Sequence, residues 1–130
     1  MTIKYRIVKR TNNISEIPTD QYIMQAVHTG IISHEQLVYE VSNQCTLHQA
    51  DIEAVLVALV NQMEFHLKEG RVVEINRLGR YKIGFQGVAK SDPKLLSPKD
   101  IRKFYINYQP TPRTKNWLKK GLPIAKELKR

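Results

Sequence analysis

The sequence predicts an α+β domain: a helical hairpin packed on a three-stranded antiparallel sheet, preceded by one strand and one short helix. Two observations carry this. The apolar period changes from 3.6 to 2 at Gly70, so helices give way to strands there. Two helix-start patterns of the type S/T-x-x-Q stand close together, at Ser33-His34-Glu35-Gln36 and at Thr46-Leu47-His48-Gln49, so one helix ends as another begins.

Taken in order, Ile3, Tyr5 and Ile7 alternate with Lys4 and Arg6, the pattern of a half-buried strand, and Thr11-Asn12-Asn13 breaks it. Pro18-Thr19-Asp20 reads as the start of a short helix with Tyr22, Ile23, Ala26 and Val27 on one face, stopping at Gly30. After Ser33, the residues Leu37, Val38, Val41 and Cys45 recur at helical spacing. After Thr46, a longer stripe follows: Ile52, Val55, Leu56, Leu59, Met63 and Leu67. Ala54, Val57, Ala58 and Val60 widen it beyond what one short helix can cover, which points to a second subunit. Gly70 sits where a helix-ending glycine belongs.

Residues 71–76 form the next expected strand, and Arg77-Leu78-Gly79 turns the chain. In the returning strand, Tyr81, Ile83 and Phe85 share one face, so Arg80 and Lys82 take the other. Residues 86–100 have no clear period, although Ser97-Pro98 resembles a helical turn with Ser97 as cap and Pro98 first inside. Residues 101–108 make a third strand, with Phe104, Ile106 and Tyr108 inward and Lys103, Tyr105 and Asn107 outward. Pro110 and Pro112 end it. Thr114 is placed to cap a last helix that buries Trp117 and Leu118, and residues 121–130 read as a basic, frayed tail.

Composition narrows the function. A chain of 130 residues with 42% hydrophobic content suits one domain with a thin core. The longest apolar run, residues 52–60, is interrupted by Glu53, and no stretch has the length of a membrane span. The first residues lack an apolar signal region, so a cytoplasmic location is expected. Cys45 is the single cysteine, which excludes an internal disulfide. The four histidines have no metal-ligand spacing, and neither a phosphate-binding glycine loop nor a nucleophile with a base is present. We therefore expect no enzyme, no cofactor, no metal and no small-molecule substrate.

Charge points elsewhere. Residues 1–70 hold 5 Lys/Arg and 8 Asp/Glu, whereas residues 71–130 hold 16 and 4, a balance of −3 against +12 within the net +9. A segment this cationic repels itself unless a polyanion neutralises it, and the phosphate backbone is the commonest one.

The element order and several short motifs resemble the HU and integration host factor family of bacterial histone-like proteins. Ser33-His34-Glu35-Gln36-Leu37 through Thr46-Leu47 resembles its first helix and polar corner. Leu67-Lys68-Glu69-Gly70-Arg71-Val72-Val73 is similar to its "LKEG-x-V" junction, and Leu78-Gly79-Arg80-Tyr81-Lys82 to its "GxGxF" hairpin, with Arg77 in place of the first glycine. Pro112 with Lys115, Trp117 and Leu118 matches its closing helix. The likeness spans residues 33–120. Residues 1–32 form an N-terminal extension, as in the HU-related branch of Bacteroides-like bacteria, and residues 121–130 a tail. The family's long basic arm with its "RNP" tip is altered here: Pro93, after Asp92, is the nearest tip proline.

The resemblance implies an intertwined homodimer in the nucleoid that binds double-stranded DNA with little sequence preference and condenses it. It implies a subunit interface on Val55, Leu56, Leu59 and Met63. Arg80, Lys82 and Lys103 would line the DNA-binding saddle. Arg77, Lys90, Pro93, Lys94, Lys99, Arg102, Arg113 and Lys115 would flank it. An HU-like protein-interaction or assembly module with weakened DNA binding is the alternative.

Overall fold

The structure, a computed structural model, describes residues 2–12, 17 and 19–128. Among these are three α-helices and two three-stranded sheets, distributed over two compact units. One unit spans residues 34–117; the other joins residues 1–33 to residues 118–130. Among the described residues, no helix is long and apolar enough to cross a membrane.

In the unit holding the chain's first residues, β1 (Ile3–Asn12) pairs antiparallel with β2 (Thr19–Val27) over the full length of β2, from Lys4 opposite Val27 to Asn12 opposite Thr19. Residues 22–30 are thus not the expected short helix. Tyr22, Ile23 and Val27 are β-formers, and the adjacent ladder of β1 satisfies every second backbone group of β2 at once. The strand β1 also runs through Thr11 and Asn12, past the expected break. Nor is the tail wholly frayed: β6 (Ile124–Lys126) pairs parallel with Ile3–Tyr5 of β1, and Arg6 bonds Glu127 at 3.0 Å. Asn13, Pro18 and the last two tail residues, to which part of these expectations applied, lie outside the described residues.

The larger unit begins with α1 (His34–Ser42), which packs on α2 (Gln49–Lys68). The His34 ring meets the Glu53 carboxylate across the pair. Instead of Thr46, His48 is the N-cap of α2, its N–H donating to Asp51 Oδ2 at 3.2 Å. At the other end the Arg71 N–H reaches the His66 carbonyl and the Gly70 N–H the Leu67 carbonyl. Gly70 sits at φ +81°, the left-handed stop expected of it.

The second sheet has the order β3 (Val73–Ile75), β4 (Gly79–Gly87), β5 (Ile101–Pro110), all antiparallel. Helix α2 packs on β3 and β4. Between β4 and β5 the chain makes two 3-10 turns, Pro93–Leu95 and Pro98–Asp100; Ser97 and Pro98 hold the cap and first positions expected of them. Helix α3 (Pro112–Lys119) follows at once. Its cap is Thr111, whose Oγ1 accepts from the Thr114 N–H at 3.2 Å, not Thr114 itself, because Pro112 takes the first helical position.

Very little apolar surface is covered. Val38, Ile52 and Leu67 are the buried hydrophobic side chains among the described residues. Leu56, Leu59 and Met63 are half-buried, while Val55, Val57, Val60 and Phe65 on the same helix are exposed.

Candidate nucleic-acid interface

Side chains alternate across a strand, so the register of β4 against its neighbours sorts the second sheet into two faces. Tyr81 lies opposite Tyr108 and Val73, Ile83 opposite Ile106, and Phe85 opposite Phe104. These form one apolar face, with Tyr81 and Tyr108 ring centroids 5.1 Å apart and Phe85 edge-on to Phe104 at 6.0 Å. The intervening positions form the other face. There Arg80 lies between Glu74 and Gln109, Lys82 opposite Asn107, and Gln86 opposite Lys103.

Arg80, Lys82 and Lys103 therefore stand on one side of the sheet, all exposed. Two residues along a strand span about 7 Å, so Arg80 and Lys82 sit side by side, with Lys103, opposite Gln86, two further such steps on. A hollow of about 130 Å³ lies among Val72, Arg80, Lys82, Asn107 and Gln109. Its polar lining consists of two cations and two amides, groups that donate to anionic oxygens. Glu74 is the one acidic neighbour, 3.5 Å from Arg80, with both side chains 60% exposed. The Tyr105 ring covers Gly84 on this face: a Cβ there would meet ring atoms at 2.7 Å. It therefore serves as a lid over the neighbouring strand.

The other cations distribute differently. Arg102 belongs to neither row, because Gln86 pairs with Lys103 and Gly87 with Ile101, leaving Arg102 as the extra residue of a bulge. Through that bulge Ile101, not Arg102, meets Gly87 on the apolar side. Lys90 is committed within the arm: its Nζ bonds Asp100 Oδ1 at 3.0 Å and donates to the Leu95 carbonyl at 3.1 Å. The Val88 N–H donates to the Asp100 carbonyl and the Ser97 N–H to its carboxylate, so residues 88–100 fold on themselves and make no extended ribbon. Pro93 opens the first 3-10 turn, capped by Asp92, and Lys94 and Lys99 are exposed on the two turns.

At the far end of the sheet Arg77 sits in the hairpin at φ +73°, the left-handed region. A non-glycine residue there costs about 1–2 kcal/mol, so the glycine of similar sequences is explained and the arginine is a departure. The Tyr108 hydroxyl secures the turn by donating to the Leu78 carbonyl at 2.7 Å. Arg77 lines two adjacent hollows, one of about 420 Å³ with Arg80, Gln109 and Lys115, the other of about 290 Å³ with Arg113, Thr114 and Trp117. Trp117, expected in the core, is 58% exposed, and Leu118 47%.

The apolar face also departs from an ordinary interior. Phe104 is 66% exposed, and Ile106, Phe85, Tyr108 and Ile83 are exposed with it. A contiguous row of this kind on a single chain marks an interaction surface.

No curated protein matches the chain. A crystal structure at 2.25 Å of a candidate bacterial DNA-binding protein from Bacteroides vulgatus ATCC 8482 is similar in fold, with a TM-score of 0.66 at 16% identity. The likeness covers 98% of this chain but 50% of that one, so this chain spans about half the length of that structure. Residues 1–126 match the family described as HU domain fused to wHTH, Ig, or Glycine-rich motif, and the chain accordingly belongs to this HU-HIG family.

Proposed function

We propose that this chain is a histone-like, nucleoid-associated protein that binds duplex DNA as a homodimer, through phosphate contacts with little sequence preference. The observation that carries the reading is the two-sidedness of β4. Arg80 and Lys82 project with Lys103 from one face, and the apolar row of Tyr81, Ile83 and Phe85 backs them on the other. A second copy covering that row and the exposed flank of α2, including Val55, would place two cationic faces side by side. Contacts of this type position a protein on DNA without reading bases. The name of the Bacteroides vulgatus structure and the family assignment support the same reading. Binding to duplexes of unrelated sequence across a salt series, with sedimentation of the free protein, tests it. Sequence-independent binding that falls steeply with salt, by a dimer, is expected; absence of binding at low salt overturns it.

A second reading, an assembly module with reduced DNA affinity, is favoured by the arm. Its fold-back leaves a hollow of about 560 Å³ lined by Phe85, Val88, Ala89, Leu96, Pro98 and Ile101, in place of a cationic ribbon. Recovery of a protein partner from nuclease-treated lysate, without duplex binding, would select it.

A further inference from the structure

We propose that the hollow formed by Arg77, Arg113, Thr114 and Trp117 binds an unpaired base of a DNA strand. The indole stacks on the base and the two guanidinium groups hold the adjacent phosphates. The inference goes beyond the duplex reading, because a paired base offers a protein its edges and not its flat face.

Three observations converge. Trp117 leaves more than half its surface open on a helix that also carries Arg113, Lys115 and Lys119, although an amphipathic helix would turn its largest apolar ring inward. The walls beside it are two arginines, and no acidic residue lines the hollow. Arg77 is held in a backbone conformation that glycine adopts freely and arginine rarely does. Backbone strain retained at one surface position points to a use for that side chain. Arg77 also lines the neighbouring hollow with Arg80 and Lys115, where Glu74, paired with Arg80, is the acidic member, so three cations link the sheet face to the indole. A strand leaving a duplex on that face would follow them. An aromatic platform at the end of a cationic track is the usual device for holding unpaired bases.

Trp117 is the single tryptophan of the chain, so its emission reports this hollow alone. The full-length protein is titrated with a short oligothymidylate strand and, separately, with a relaxed closed duplex circle, which has no free base. We expect the oligothymidylate to quench Trp117 and the circle to leave its emission unchanged while still shifting in a gel. Trp117→Leu should lower affinity for labelled oligothymidylate about ten-fold, the loss of one stacked base, with circle binding unaltered. Arg77→Gly, which relieves the backbone, should weaken strand binding while the melting temperature holds or rises; it keeps the test open if the first variant fails to fold. The proposal is overturned if iodide cannot reach Trp117 in the free protein, since a second copy then covers it. It is equally overturned if Trp117→Leu binds oligothymidylate as well as the parent. Loss of circle binding alone would sink the duplex reading and leave this one standing.

Discussion

Replacing Arg80 and Lys82 with glutamine removes two of the three cations that the register places on one sheet face. In a homodimer that face presents six such charges, and neutralising six phosphates gives log K against log salt a slope of about −5.4. Affinity should then fall about 2,000-fold between 50 and 200 mM salt. The double variant retains two charges per dimer, so the slope should flatten to about −2 and the same salt step should cost only about ten-fold. Folding should survive. Both side chains are exposed, and the 3.5 Å contact of Arg80 with Glu74 is a surface pair worth about 0–1 kcal/mol. The melting temperature should accordingly move by no more than about 4 °C. Fluorescence anisotropy of a labelled duplex over a salt series, with a thermal melt of each protein, decides the matter. A slope unchanged from the parent would place the phosphate contacts elsewhere, and a variant that does not fold would mean that these side chains face inward.

Phe104→Asp puts a charge in the exposed aromatic row. Losing about 1.5–3 kcal/mol of burial on each of two chains should weaken dimerisation at least about 100-fold, read by analytical ultracentrifugation; a variant still dimeric at low concentration would exclude this face from the interface. Gly79→Ala and Gly84→Ala should separate in a chemical melt. At Gly79 the new Cβ would lie 2.2 Å from the Gln109 carbonyl in a backbone that cannot yield, whereas at Gly84 it meets the Tyr105 ring, which can swing away. We expect a loss of more than about 2 kcal/mol for the first and less for the second. Asp100→Asn removes the carboxylate that bonds both Lys90 and the Ser97 N–H. Hydrogen exchange at Ser97 and Val88 should quicken, while exchange at Tyr81 in the sheet stays slow; no change in the arm would show that the turns hold without it.

The parts of this fold that could be read from the sequence are those written in local patterns. Alternation at 80–85 and 103–108 told the two sheet faces apart, and Gly70 and Ser97-Pro98 marked their turns, because caps and pleats depend on neighbours a few residues away. What escaped depends on distant partners. Residues 22–27 carry an apolar spacing compatible with either a helix face or a strand, and only the ladder with β1 decides between them. Ile124–Lys126 becomes a strand solely by meeting Ile3–Tyr5 from the other end of the chain. On the candidate interface, alternation put Arg80, Lys82 and Lys103 on one side, whereas the ion pair of Lys90 and the bulge at Arg102 depend on residues 10 or more positions away. Trp117 was placed in the core because a large ring at helical spacing reads as interior, whereas it is exposed. The signal for that exposure was the company it keeps: three cations and one other large apolar residue across α3.

The bulge at Arg102 has an evolutionary corollary. Because parity along β4 and β5 assigns each position to a side, losing a single residue from either strand would exchange the sides wholesale, turning charges toward the aromatic layer and rings toward solvent. Point substitutions on one side leave the other untouched, whereas length changes damage both together. Drift in these strands should therefore proceed by replacement, with insertions and deletions confined to residues 88–100, between the two strands whose parity matters.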